Sequence, residues 1–317
     1  MTRSSKRDID TSHFGEPSRA AASLLVDSRC VLGEGILWCE RRQVAWWTDI
    51  QSSRLWRYRP AGQHASSWRL PDRLGCMALC ESGNLLLGLS RGIYSLDVDD
   101  IEDSEILHPH KLADVPVAAS TVRVNDGRAD RSGNFVFGTM NEGPHVPRFG
   151  RFYQYSQRHG LRPLPLEPVA IANSVCFGLE GDLLYYCDSS RRRIMRCAYD
   201  ARAATVGSAE VFATVGRPAE PDGACIDRNG RLWSARWGAG QVVCHAHDGS
   251  VEHLVEVPVS NATCVTFGGP ALDQIMVTTA RQGLDELQLQ QQPHAGGVHV
   301  ARMAGAVGLP ESRFDDR

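Results

Sequence analysis

Short strand-like runs recur along this chain at a nearly constant interval, and that interval restricts the fold more than any other feature of the sequence. Runs beginning at Val44 (VAWWTDI), Leu85 (LLLGLS), Phe135 (FVFGTM), Leu183 (LLYYCD), Leu232 (LWSARW) and Ile275 are separated by 41, 50, 48, 49 and 43 residues. The pieces ESGN, RSGN, LEGD and RNG, placed between an earlier apolar run and these, carry the Gly that a tight reversal with positive φ requires. A third strand-like run follows in most units. One such unit cannot bury its own faces, so neighbours must stack. A period of this size matches a four-stranded propeller blade. Six starts predict an all-β, six-bladed β-propeller whose innermost strands line a central channel. The ring must also close: SLLVDS (23 to 28) is expected to pair beside Gly297-Val298-His299-Val300 and hold the two ends together.

The first 20 residues contain Arg3, Lys6 and Arg7 followed by polar and small residues. They lack the apolar core of a secretory signal, and residues 1–20 are expected to be a disordered tail before a single domain over 21–310. No run approaches the roughly 20 apolar residues of a spanning helix. A cytoplasmic location is expected. With 34 basic and 37 acidic residues mixed along the chain, no basic stripe points to nucleic acid or a membrane surface. Arg191-Arg192-Arg193 reads as a hairpin turn. Ten cysteines fall mostly inside apolar strand patterns with no CxxC pair. They are expected to be buried, reduced thiols.

The repeat places chemistry as well as strands. Glu34, Asn125, Asn173 and Asp222 each stand ten residues before the first residue of a second strand, and Gly75 has the same offset. In the sixth unit the offset lengthens to about twelve, at Thr263. Equal position in the repeat becomes equal height around the axis, so these donors are expected just before the innermost strands, at the channel mouth. Gly75 leaves a gap in the ring. Two carboxylates and one or two amides form an all-oxygen set suited to a hard divalent cation. Asp126 is either a turn-former bonding its own backbone or a carboxylate orienting Asn125. Trp38, Trp46 and Trp47 read as packing residues.

These segments resemble the SMP-30/gluconolactonase (regucalcin-like) family, through LGEGILW (32 to 38), RVNDGRADRSGNFVFGTM (123 to 140), IANSVCF (171 to 177), PDGACID (221 to 227) and GGPALDQIMVTTAR (268 to 281). The likeness runs from about residue 23 to 304 and is strongest to bacterial sugar lactonases for L-arabinono- and D-xylono-lactone. It implies a six-bladed propeller with one divalent metal, with Glu34, Asn173 and Asp222 matching the ligands and Arg123 and Asn125 matching the substrate-binding pair, Asn125 in or near the coordination sphere. Two residues depart from the family pattern: Ile36 stands where proline is usual, and Ser174 where glycine is usual.

The resemblance implies a metal-dependent hydrolase that opens an aldonolactone to its sugar acid. Ca²⁺ is the first choice of metal, with Mg²⁺, Mn²⁺, Zn²⁺ or Fe²⁺ admissible. A metal of this kind polarises the carbonyl and acidifies water. Asp222 is the expected proton acceptor. Arg123 would support the oxyanion or orient hydroxyls, and Glu142, just after GTM, would reach hydroxyls at the mouth. The rival enzyme is a calcium-dependent aryl-ester or organophosphate hydrolase, and the rival of another class is a non-catalytic, metal-stabilised binding propeller. Gly88-Leu89-Ser90-Arg91-Gly92 spells GxSxG, but a strand follows where serine hydrolases need a helix, so a hairpin is expected. The pairs His108/His110 and His245/His247 lack further ligands at fixed spacing.

Overall fold

The structure is a computed structural model that describes residues 16–99, 101–102, 104–143 and 148–317. Six sheets follow one another around an axis, as the period predicted. Their second strands begin at Val44, Leu85, Phe135, Leu183, Leu232 and Gln274. Blade 1 is representative: Gly33–Cys39 lies innermost, followed outward by Val44–Asp49, Arg54–Arg59 and His64–Arg69, all antiparallel. Among the described residues the one α-helix is the short Glu286–Gln291, capped by Asp285, and no helix is long and apolar enough to cross a membrane.

Blades pack face to face, so their middle strands are buried on both sides. Val44–Asp49 and Leu85–Leu89 are buried at every position. This explains why their sequences are nearly continuous apolar runs rather than alternating ones. Trp38, Trp46, Trp47 and Trp233 fill the inter-blade space; a large side chain buried in this way stabilises the fold by about 1.5–3 kcal/mol. All ten cysteines are buried and unpaired, as expected.

Closure follows the expected pairing, with Ser23 opposite Val300 and Leu24 opposite His299, antiparallel on the outer side of blade 6. Two further strands extend past the expected 21–310 span. Ser18–Ala21 adds in parallel to Val251–Glu256 of blade 5, so the segment expected as a tail is a strand from Ser18 onward, while residues 1–15 lie outside the described part. The added strand and the closing strand are separated only by Ala22. Together they fasten blade 5 to blade 6. At the other terminus, Arg313–Phe314 pairs in parallel with the innermost strand of blade 2, Leu74–Cys80, with Arg313 opposite Leu79.

Candidate active site

Every innermost strand loses register with its neighbour at the same height. The slips fall between Glu34 and Leu37, Leu74 and Cys76, Val124 and Gly127, Asn173 and Cys176, Pro221 and Ala224, and Ala262 and Cys264. A β-bulge of this kind leaves residues outside the ladder and re-aims their side chains. Glu34 and Asn173 form the last regular pair before the slip, while Gly75, Asn125, Asp222 and Thr263 lie within it. The donors therefore sit inside the innermost strands, at a repeated bulge, and not just before those strands. Sequence offset reports the repeat but not the local backbone that turns each side chain toward the axis.

Five blades contribute to a cleft of about 220 Å³ lined by Glu34, Arg123, Asn125, Asn173, Ser189 and Asp222, with Gln282 from blade 6 and with Leu32, Ile171 and Trp237 among its apolar residues. One water needs only about 10–15 Å³, so an ion and a small organic molecule both have room. Glu34 and Asp222 carry the electrostatics. Glu34 is pushed up to about 8, first by burial and next by the charge of Asp126. Asp222 is raised well above the carboxylate range by burial, then by Glu34 and Asp126. Gly35 N donates to Glu34 Oε2 at 3.0 Å. Asp222 Oδ1 is buried with no hydrogen-bond partner. A buried lone pair without a donor, beside a second buried carboxylate, fits an external cation as its partner.

The amides are more occupied. Arg123 Nη1 donates to Asn125 Oδ1 at 2.7 Å and to Val124 O at 3.0 Å. Asn125 Nδ2 in turn donates to Asn173 Oδ1 at 3.0 Å and to Ala172 O at 2.9 Å. Asn125 thus links Arg123 to Asn173, its oxygen facing a guanidinium. Asn173 Oδ1 keeps a second lone pair, and its Nδ2 donates to Ser189 Oγ at 3.0 Å. Glu34, Asp222 and Asn173 are the oxygens free to hold a hard cation. Thr263 reaches the expected level, but its hydroxyl donates to Gly33 O at 2.5 Å. The gap expected at Gly75 is filled by main chain, since a Cβ there would meet Val124 O at 2.4 Å.

Glu142 is placed differently from the expectation that it reaches into the mouth. Its Oε1 accepts from Arg123 Nε at 2.8 Å, and both its oxygens accept from Arg73 Nη1, at 3.0 and 2.8 Å. Burial alone would raise its pKa, but Arg123 and Arg73 outweigh that and hold it low. Glu142 therefore fixes the guanidinium of Arg123, whose Nη2 carries no hydrogen bond among the described residues. Asp126 bonds the adjacent Gly127 backbone, in keeping with the turn-forming role, and its Oδ2 also accepts from Val175 N, 2.8 Å away in the blade 4 bulge.

Arg73, Ser174 and Ser189 escaped the sequence reading. Ser174 alone left a trace there, as a polar residue where a glycine is usual. The GxSxG stretch is a hairpin, with Ser90 Oγ donating to Asp72 Oδ1 at 2.8 Å. Cys244, Glu252 and His253 also converge, in blade 5. Arg231 Nη1 already sits there, 2.7 Å from His253 Nε2 and 3.2 Å from Glu252 Oε2, so a protein cation fills the place of a metal.

Comparison with known proteins gives consistent relatives. Residues 32–281 match the family described as SMP-30/Gluconolactonase/LRE-like region. An L-arabinolactonase of Azospirillum brasilense is 39% identical over 296 residues, covering 92% of this chain and 95% of that protein. A 6-deoxy-6-sulfogluconolactonase of Pseudomonas putida is 31% identical over 286 residues, covering 90% and 95%. The crystal structure of a calcium-binding protein, regucalcin, from Agrobacterium tumefaciens superposes with a TM-score of 0.85 at 27% identity, covering 95% of this chain and 99% of that one.

Proposed function

The chain belongs to the SMP-30/gluconolactonase/LRE-like family, and from that premise we propose that it hydrolyses an aldonolactone, of the pentono- or hexono- class, to the corresponding sugar acid with the help of one divalent cation. The observation that carries the reading is the buried pair Glu34 and Asp222, both pushed upward chiefly by burial, with Asp222 Oδ1 left without a donor. Relatives named as lactonases support the substrate class. The calcium-binding relative supports a hard metal, with Ca²⁺ first.

Glu34, Asp222 and Asn173 would hold the cation. Bound there, it would polarise the ring carbonyl and lower the pKa of an adjacent water. The Asp222 carboxylate is the group that takes the proton as water attacks the carbonyl carbon. Arg123, immobilised through Nε and Nη1, directs its Nη2 hydrogens to the oxygen on which charge develops. Preorganisation is what the Glu142, Asn125 and Val124 contacts provide, because a guanidinium already held loses little freedom when substrate arrives. Leu32, Ile171 and Trp237 add apolar surface to the wall of the same cleft, against which a sugar ring can rest.

The test is base consumption at constant pH with a panel of aldonolactones and aryl phosphates, before and after chelation. Lactone turnover lost on chelation and restored by Ca²⁺, Mg²⁺ or Mn²⁺ is the expected result. Faster turnover of aryl phosphates than of any lactone, or no turnover by a protein carrying stoichiometric metal, would overturn the reading.

A further inference from the structure

We propose that Ser174 is a positioning residue: its hydroxyl clips the blade 4 bulge to the main chain of Asp222 and so aims the Asp222 carboxylate, an inference that rests on Asp222 serving as a ligand and proton acceptor. Ser174 adopts φ +58°, a left-handed backbone that a residue with a β-carbon enters only under strain. The equivalent place in blade 1, directly after Glu34, has the same conformation at φ +60° but is Gly35. If the bulge needed only that conformation, glycine would satisfy it in both blades. What serine adds is an oxygen.

That oxygen is fully buried and donates to Asp222 O at 2.5 Å. One residue earlier along blade 5, Pro221 O accepts from Ser189 Oγ at 2.7 Å, and Ser189 Oγ accepts from Asn173 Nδ2 at 3.0 Å. The main chain of Pro221 and Asp222 is therefore held at two consecutive carbonyls by two serines of blade 4. Ser189 is bonded to Asn173 and Ser174 follows it directly in sequence. Val175, the next residue, has its N–H fixed by Asp126 Oδ2. Asp222 Oδ1 has no partner, so the direction of the carboxylate is set by these main-chain contacts together with the neighbouring Glu34 side chain. The clip joins candidate ligands on two blades that share no strand pairing.

Two variants separate the hydroxyl from the strain. Ser174→Ala keeps the β-carbon and removes the hydroxyl, while Ser174→Gly removes both. Calorimetric titration with Ca²⁺ or Mn²⁺ should show at least about a tenfold weaker affinity in both variants, although Ser174→Gly should melt at a higher temperature than Ser174→Ala when metal-free. Local hydrogen exchange of the metal-free proteins supplies the readout independent of metal and substrate: amides at 222–224 should exchange about tenfold faster in both variants, with exchange in blade 2 unchanged. Wild-type exchange at 222–224 in either variant overturns the proposal, as does wild-type metal affinity in Ser174→Gly. A wild-type protein that binds metal but opens no lactone would instead overturn the proposed reaction and leave the clip to be judged by exchange and affinity. Should the wild type bind no divalent ion, exchange alone decides.

Discussion

At the far end of the channel, three residues past Asn125 on the same strand, Arg128 lies against Glu311 with Nη2 and Oε1 3.7 Å apart. Glu311 also accepts from Thr266 Oγ1 at 2.9 Å. Burial lowers the Arg128 pKa, but Glu311, together with smaller contributions from the buried Cys225, Cys264 and Cys176, outweighs it and the net shift is upward. The segment carrying Glu311 leads into the strand at Arg313–Phe314, so the chain's own end closes this side around a void of about 20 Å³. At the mouth, Glu34 and Asp222 are also buried, yet burial and the charge of Asp126 push both upward and one oxygen lacks any donor. One end brings its counter-ion in the sequence and the other end does not. The difference teaches that burial of charge is not avoided by this fold but balanced at one end, and that the other end is where the proposed cation would supply the balance.

The largest test of this contrast is Asp222→Asn. Turnover should fall by about 10²–10⁴-fold, whereas the metal-free protein should melt at a higher temperature, because one of two repelling carboxylates is gone. Lactone kinetics and thermal unfolding after chelation measure the two halves. Near-normal turnover with part of the metal affinity kept would break the assignment of Asp222 as proton acceptor.

At the other end, removing the partner should do the opposite. Glu311→Ala strands a buried guanidinium and should cost about 3–5 kcal/mol in urea unfolding. The double change Arg128→Met with Glu311→Leu should recover most of that. If Glu311→Ala is as harmless as a surface substitution, the far end is not charge-balanced by this pair.

A third buried charge sharpens the comparison further. Arg236 has no carboxylate partner among the described residues. Its Nη1 donates to Ser234 Oγ at 2.6 Å, and its Nη2 lies 2.7 Å from His245 Nε2. For that nitrogen to accept, His245 must be neutral with its proton on Nδ1, which faces Gly249 O at 2.8 Å. Burial, and then the charge of Arg236, lowers His245 to about 4 from 6.5. The unfolded chain thus binds this proton more readily than the folded one. Stability is complete above about pH 6.5 and is lost as pH falls toward 4, by about 3 kcal/mol. Melting temperature against pH should therefore be flatter in His245→Gln than in wild type. His299, lowered to about 4 chiefly by burial, adds a slope of the same sign.

The smallest effect is expected from Gly75→Ala. The new methyl would lie 2.4 Å from Val124 O and 2.8 Å from Asn125 O. Relief by backbone movement should cost about 1–3 kcal/mol and raise KM for lactone through Asn125 and Arg123. Urea unfolding with steady-state kinetics measures both, and an unchanged KM would show that blade 2 does not support the mouth.

How much of this could be read beforehand depends on what each residue's role requires. The six second strands were legible because inter-blade burial demands long apolar runs at a fixed spacing, and runs such as Val44–Asp49 are visible without coordinates. Closure by Ser23–Val26 was legible because a propeller needs it. The strands Ser18–Ala21 and Arg313–Phe314 were missed. Both are short, and their pairing partners lie more than 200 residues away, so no local pattern marks them. Glu34, Asn173 and Asp222 were found by equal offset. The contacts of Glu142 were not foreseen, since nothing in its own segment announces Arg73, which is 69 residues earlier.

By itself the sequence determined the number of blades, the oxygen character of the mouth and the residues that meet there, because repetition converts spacing along the chain into position around an axis. Tertiary structure alone decided which of those oxygens remain free. Hydrogen bonds within and between blades engage Asn125 and Thr263, hold Glu142 against two arginines, and leave Asp222 Oδ1 without a donor. The physical reason is that a side chain's availability depends on which donors and acceptors from other blades come within about 3 Å, and separation along the chain carries no record of that.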